Sequence, residues 1–212
     1  MASSPLIISV QARCNSAFED FVRTGSQQAL AFLLKRERTE KKDQPKIRTQ
    51  PATLVETLDR KAHDLVRTSD INTYPFLFRV SVGAAIFSEE AGYLLNAGFS
   101  YDRAGKIAQH LYKAARDPDE KRQWSLCKLA TRNQAGDLFA KLTHYHDSGY
   151  AYLFAAEAAG ELSDSALADT LGKKGVQQFM FAGKRPQNRF LTKMYDFYLN
   201  KLFQQKHPEQ CL

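Results

Sequence analysis

Apolar positions along this chain recur at spacings of three and four, segment after segment, and no stretch alternates convincingly with a period of two. Leu6, Ile7, Val10, Cys14, Phe18, Phe21 and Val22 form one such face behind a Ser4-Pro5 start, and Ala29, Leu30, Leu33 and Leu34 form a second. Thr53 and Glu56 make a capping box in front of Leu54, Val55, Leu58, Ala62, Leu65 and Val66. Phe76 to Phe87 is apolar almost all round, which predicts a core helix that runs on to Asn96 and stops at Gly98. A further helix is expected from Tyr101 to Arg116. Asp117-Pro118-Asp119-Glu120 supplies a cap, a first-turn proline and a capping acid for a helix to about Thr131. Shorter helices are predicted over 133–142, 147–159, 163–171 (capped by Ser163) and 176–182, with a break at Gly172 to Gly175. The last helix carries Phe190, Leu191, Met194, Tyr195, Tyr198, Leu199, Leu202 and Phe203. The pattern predicts an all-α chain of about ten helices, and the short connections imply antiparallel neighbours.

Two stretches echo each other 44 residues apart: Ala91-Gly92 and Ala135-Gly136, Leu94 and Leu138, Tyr101 and Tyr145, Gly105 and Gly149, Ala114-Ala115 and Ala158-Ala159. Small residues would let two helices approach closely, and the larger ones would fill the space between pairs. With its mix of Ala, Gly and Tyr, AGYLLNAGFSYDRAGKIAQHLYKAA resembles the helix-turn-helix units of tetratricopeptide-like proteins. Within that group it is most similar to the SNAP type, the adaptors that recruit a disassembly ATPase to SNARE complexes. The resemblance covers about 70 residues, and it implies a solenoid-like stack of antiparallel helix pairs that binds a protein.

Composition adds limits. At 212 residues and 43% hydrophobic, the chain is expected to form one helical domain over 1–212 with a packed core. No apolar run approaches the roughly 20 residues that cross a bilayer, and the first residues lack the pattern of a signal peptide. Cys14, Cys127 and Cys211 form neither a metal-ligand pattern nor a disulfide framework, so reduced thiols and a cytoplasmic location are expected. A charged linker or loop is expected near residues 35–50, where Lys35 to Arg48 sums to +4 and holds Pro45. Such a run is most simply a solvated surface.

Charge is concentrated at the other end. Lys173 to Lys206 carries eight basic residues against Asp196 alone, which equals the +7 of the whole chain. In this basic C-terminal third, Lys173, Lys174, Lys184, Arg185, Arg189 and Lys193 alternate with Phe179, Phe181, Phe190 and Tyr195. Basic residues interleaved with aromatics suit an acidic protein, an acidic membrane surface or single-stranded nucleic acid. The plain alternative is that the aromatics seal the end of the helical stack while the cations solubilise its outside.

Candidate chemistry is sparse. His110, His146-Asp147 and Asp196 have the order seen in helical HD-type metal phosphohydrolases, which they resemble, but His146 falls at a turn between helices. Arg103 and His110 resemble the spacing of HEPN ribonucleases, in which an arginine binds phosphate and a histidine acts as base. Both patterns are short, and a polar turn and a solvated helix face are the simpler readings of them. No phosphate loop, catalytic residue, metal site or cofactor site is assigned. The expectation is a non-enzymatic protein-binding scaffold or adaptor. Its alternatives are a nucleic-acid-binding helical protein and a small helical metal-dependent phosphohydrolase or ribonuclease.

Overall fold

The computed structural model describes residues 71–206, the last two by backbone alone. The helices expected over 1–70 and the charged linker near 35–50 lie outside those residues. The described residues are all-helical, and no strand occurs among them. A short 3-10 turn, Ile71–Thr73, leads into α1 (Tyr74–Glu90), α2 (Leu94–Ala114), α3 (Pro118–Lys141), α4 (Tyr145–Glu161), α5 (Ser165–Ala182) and α6 (Arg189–Lys206).

Local chemistry sets the ends of these helices. Asp117 accepts a hydrogen bond from the Glu120 amide at 3.0 Å, the N-cap expected at Asp117-Pro118. Asp164, not Ser163, caps α5 by accepting from the Leu167 amide at 3.0 Å. Ser163 instead takes a left-handed conformation at φ 62°. The same turn closes four helices. Gly92, Thr143, Ser163 and Gly183 all have φ between 61° and 83°. In each turn the next amide reaches back five residues, as from Tyr93 to Ser88, His144 to Phe139, Asp164 to Ala159 and Lys184 to Phe179. That is the Schellman geometry, which satisfies orphan carbonyls at a helix end.

Three expected boundaries are not helix ends. The turn predicted at Gly98 lies at Ala91 to Tyr93, and Gly98 stands inside α2, where a Cβ would meet the ring of Phe139 at 2.8 Å. The stretches 117–131 and 133–142 form a single α3, because its polar middle is held by ion pairs rather than by an apolar stripe. Gly172 to Gly175 does not break α5. These glycines let Tyr198 and Leu153 close onto the helix, and that packing offsets a propensity cost of about 1 kcal/mol each. The 44-residue echo joins unlike places: Gly92 is in a turn and Gly136 inside α3, while Tyr101 is in mid-α2 and Tyr145 begins α4.

Consecutive helices run antiparallel and pack chiefly on one another. Residue pairs cross in opposite order along each interface: Gly98 with Phe139 and Gly105 with Arg132 between α2 and α3, Gly149 with Phe179 and Gly175 with Leu153 between α4 and α5. The core is correspondingly divided. Leu77, Phe78, Val82, Ile107, Ala108 and Leu111 join α1 to α2, with Cys127 from α3. Ala135, Phe139 and Ala151 form a small contact between α3 and α4. Leu153, Leu171, Val176, Phe179, Leu191 and Tyr195 bind α4, α5 and α6 together.

Candidate functional site

Two polar features stand out against this apolar frame. The first lies inside the fold. Lys128 and Arg132, one turn apart on α3, are both buried. The Lys128 ammonium, with no exposed side-chain surface, meets Glu157 at 3.0 Å and Glu161 at 2.9 Å, both on α4. Ser125 donates to Glu161 at 2.8 Å. On the other side Arg132 pairs with Asp102 of α2, which also takes Lys106 at 2.8 Å, and the guanidinium lies over the Phe154 ring. Burial lowers the pKa of Arg132, and the carboxylates of Asp102 and Glu157 work against that. Tyr112 on α2 lies beneath Lys128, and the charge on Glu161, then burial, then Glu157 raise its hydroxyl above the usual range. The set ties α2, α3 and α4 together through three cations and three anions, so it is charge-balanced. It offers no free charge to a ligand.

The second feature is the surface of α5 and α6. The six basic residues singled out by sequence divide into two groups there. Lys174 leans over the Tyr152 ring and lies 3.7 Å from Asp137 of α3, which also accepts from the Tyr152 hydroxyl. Arg185 pairs with Asp196 and covers the Tyr195 ring. These two are engaged within the fold. Lys173, Lys184, Arg189 and Lys193 have no acidic partner among the described residues, and the last three are exposed.

Apolar surface accompanies them. Most of the exposed large hydrophobic residues are on these helices: Met180, Phe181, Phe190, Phe197 and Phe203, against Ile71 and Phe99 elsewhere among the described residues. The Lys201–Asp169 pair at 2.6 Å marks the flank of α6 that faces α5, and the Lys201 ammonium sits 4.6 Å from the Phe197 ring. Phe190 is two turns before Phe197 on the same flank. On α5, Lys173 and Met180 follow Asp169 by one and three turns, so they line the opposite bank. A shallow depression of about 330 Å³ lies nearby, between the α3–α4 turn at Thr143 to Asp147 and Ala182 and Lys184.

The residues considered for chemistry do not assemble. His110 packs edge-on against Tyr74, and His146 against Tyr150 and Phe179, while Asp196 is held by Arg185. Asp147 faces His144 at 3.5 Å. Among the described residues no three His, Cys, Asp or Glu side chains share a metal-binding arrangement. Arg103 and His110 both lie on α2, seven residues and so two turns apart. In comparisons with protein-family models, with curated proteins and with solved structures, nothing matches this chain.

Sequence reasoning missed the α2–α3–α4 charge network. Its signal was present as two pairs at helical spacing, Lys128 with Arg132 and Glu157 with Glu161. Pairs of that kind read as a wet helix face until the neighbouring helix that buries them is known.

Proposed function

We propose that the chain is a non-enzymatic protein-binding scaffold, a solenoid-like stack of antiparallel helix pairs in the tetratricopeptide/SNAP-like manner, acting as an adaptor in the cytoplasm. One observation carries this reading: large apolar side chains are exposed together on α5 and α6, beside cations that have no partner within the described fold. Exposed apolar groups rimmed by polar ones mark interaction surfaces. The packing of each helix mainly on its sequence neighbours supports the reading too, because such a series leaves open helix faces along its length. The buried, free thiol of Cys127 suits a reducing compartment. Among the described residues no helix is long and apolar enough to cross a membrane.

The test is affinity capture with the full chain from a cytosolic extract, with and without nuclease and detergent. A stoichiometric protein partner that survives both treatments is expected. Recovery of RNA or lipid alone, with no stoichiometric protein, would refute the adaptor reading.

A further inference from the structure

We infer that the groove between α5 and α6 takes an acidic amphipathic helix of a partner protein, with Met180, Phe190 and Phe197 as its apolar floor and Lys173, Arg189 and Lys193 along its rim. The inference rests on the adaptor reading and specifies its ligand.

Geometry argues for a helix. Phe190 and Phe197 are seven residues apart on α6, about 10.5 Å along the axis. That is the reach of apolar residues at i, i+3 or i+4, and i+7 on a docking helix. Met180 is 52% exposed, Phe190 48% and Phe197 53%, so about half of each side chain is open to a partner. The Phe197 ring also contacts Lys201 and Tyr198, and a ring held in this way suits a binding hot spot, since less side-chain freedom remains to be lost on docking.

Charge argues for an acidic ligand. Gly183 to Lys206 holds six basic residues and one acid, and that acid, Asp196, is already taken by Arg185. A second copy of this chain would bring the same cations face to face across the groove, which disfavours self-association. Stacking of nucleic-acid bases needs open ring faces. The Phe197 ring instead carries Lys201 on one face and contacts Tyr198 at 5.0 Å between centroids.

The experiment is selection from a displayed library of helical peptides about four turns long, against the full chain. Enrichment of peptides with Asp or Glu flanking an i, i+3/i+4, i+7 apolar stripe is expected. An enriched peptide should bind about tenfold or more weakly to Phe190→Ser and to Phe197→Ser. Lys193→Glu with Arg189→Glu should weaken it likewise, without touching buried packing, and exchanging the peptide's acids for lysines should restore binding to that variant. Phe99→Ser, which alters an exposed ring on α2, should leave binding unchanged. Several results would overturn the proposal: no enrichment, enriched peptides without acidic bias, or binding that survives both phenylalanine substitutions. So would phenylalanine-dependent binding only to phosphatidylserine vesicles or to a single-stranded oligonucleotide, or self-association abolished by Phe197→Ser. A stoichiometric partner captured equally by wild type and both phenylalanine variants sinks the groove and leaves the adaptor reading standing. Absence of both peptide and partner sinks the two together.

Discussion

Replacing Lys128 by methionine removes the cation that contacts both Glu157 and Glu161 while keeping most of the side chain's volume. At an effective dielectric of about 20, one ammonium–carboxylate contact near 3 Å is worth about 5.5 kcal/mol before desolvation is counted. Desolvating Lys128 offsets much of this, so the intact network adds little net stability. The single substitution is different, because it leaves two carboxylates side by side without their cation. Breaking a buried pair in this way costs about 3–5 kcal/mol. Glu157 and Glu161 keep 22% and 15% of their side-chain surface exposed, so some hydration is available to them. The low end, about 3 kcal/mol, is therefore expected for Lys128→Met, with a fall in melting temperature of about 10 °C. Urea denaturation followed by far-ultraviolet circular dichroism measures it. The triple variant Lys128→Met/Glu157→Gln/Glu161→Gln removes the repulsion, keeps an acceptor for Ser125 and should recover most of the loss. A loss below about 1 kcal/mol for the single variant, or a triple variant as unstable as the single one, would refute the reasoning.

Two smaller predictions come from local structure. Thr143 is β-branched and held at φ 61°, a left-handed conformation that costs an L-residue about 1–2 kcal/mol. Thr143→Gly should raise stability by about 0.5–1 kcal/mol after the entropy of glycine in the unfolded chain is subtracted, read as a higher urea midpoint with unchanged slope. Burial pushes the Cys127 thiol up to about 12, above its ordinary value of 9.0. Its thiolate is therefore suppressed in the folded state at pH 8, and peptide-level mass spectrometry should find it alkylated only after denaturation. The same shift sets the sign of an alkaline effect. Above pH 9 the unfolded chain releases the Cys127 proton and the native state retains it, so stability is complete below that pH and declines as pH rises toward 12. Tyr152 and Tyr198, raised mainly by burial, add to the decline above pH 10.

The helical class was legible because α2 and α6 carry apolar residues at helical spacing, because α1 is a run apolar almost all round, and because Asp117 and Pro118 open α3 with ordinary capping chemistry. Boundaries were less legible where a residue's local meaning and its tertiary meaning differ. Gly98, Gly172 and Gly175 look like punctuation in a sequence, yet in the fold they are places where a ring or a leucine comes close. The break expected after Thr131 fell at Arg132, a polar residue whose partner Asp102 lies on a helix 30 residues away in the chain. The basic C-terminal surface was visible as composition. What composition could not show is that Asp137 and Asp196 engage Lys174 and Arg185, leaving Lys173, Lys184, Arg189 and Lys193 without an acidic partner in the described fold. The exposure of Phe190 was hidden for a related reason, since it falls on the apolar stripe of α6 and looks like core until α5 fixes which face is covered; Phe197 lies off that stripe.

A charge network that adds little net stability needs another reason to be where it is, and the surface of α4 suggests one. Ala151, Ala155, Ala156, Ala158 and Ala159 are all buried, so much of the surface that α4 presents to its neighbours is methyl groups. Tyr152, seated over Gly136, and Leu153, seated over Gly175, are the large knobs among them, and the alanines add little to fix the axial position of a packed helix. A slip of one turn moves a helix about 5.4 Å, and alanine could accept it at small cost. Lys128 could not, because a one-turn slip would carry its ammonium off one of the two carboxylates that hold it, and Arg132 would be strained against Asp102 on the other side. The network is therefore expected to act as a register pin between α2, α3 and α4, a role attested for buried polar groups elsewhere. This separates register from stability in one variant. The triple variant should melt close to wild type but lose amide-exchange protection in α4, as alternative packings of the alanine face become populated. Unchanged protection in α4 at recovered stability would show that Tyr152, Leu153 and the alanines set the register and would remove the pinning role.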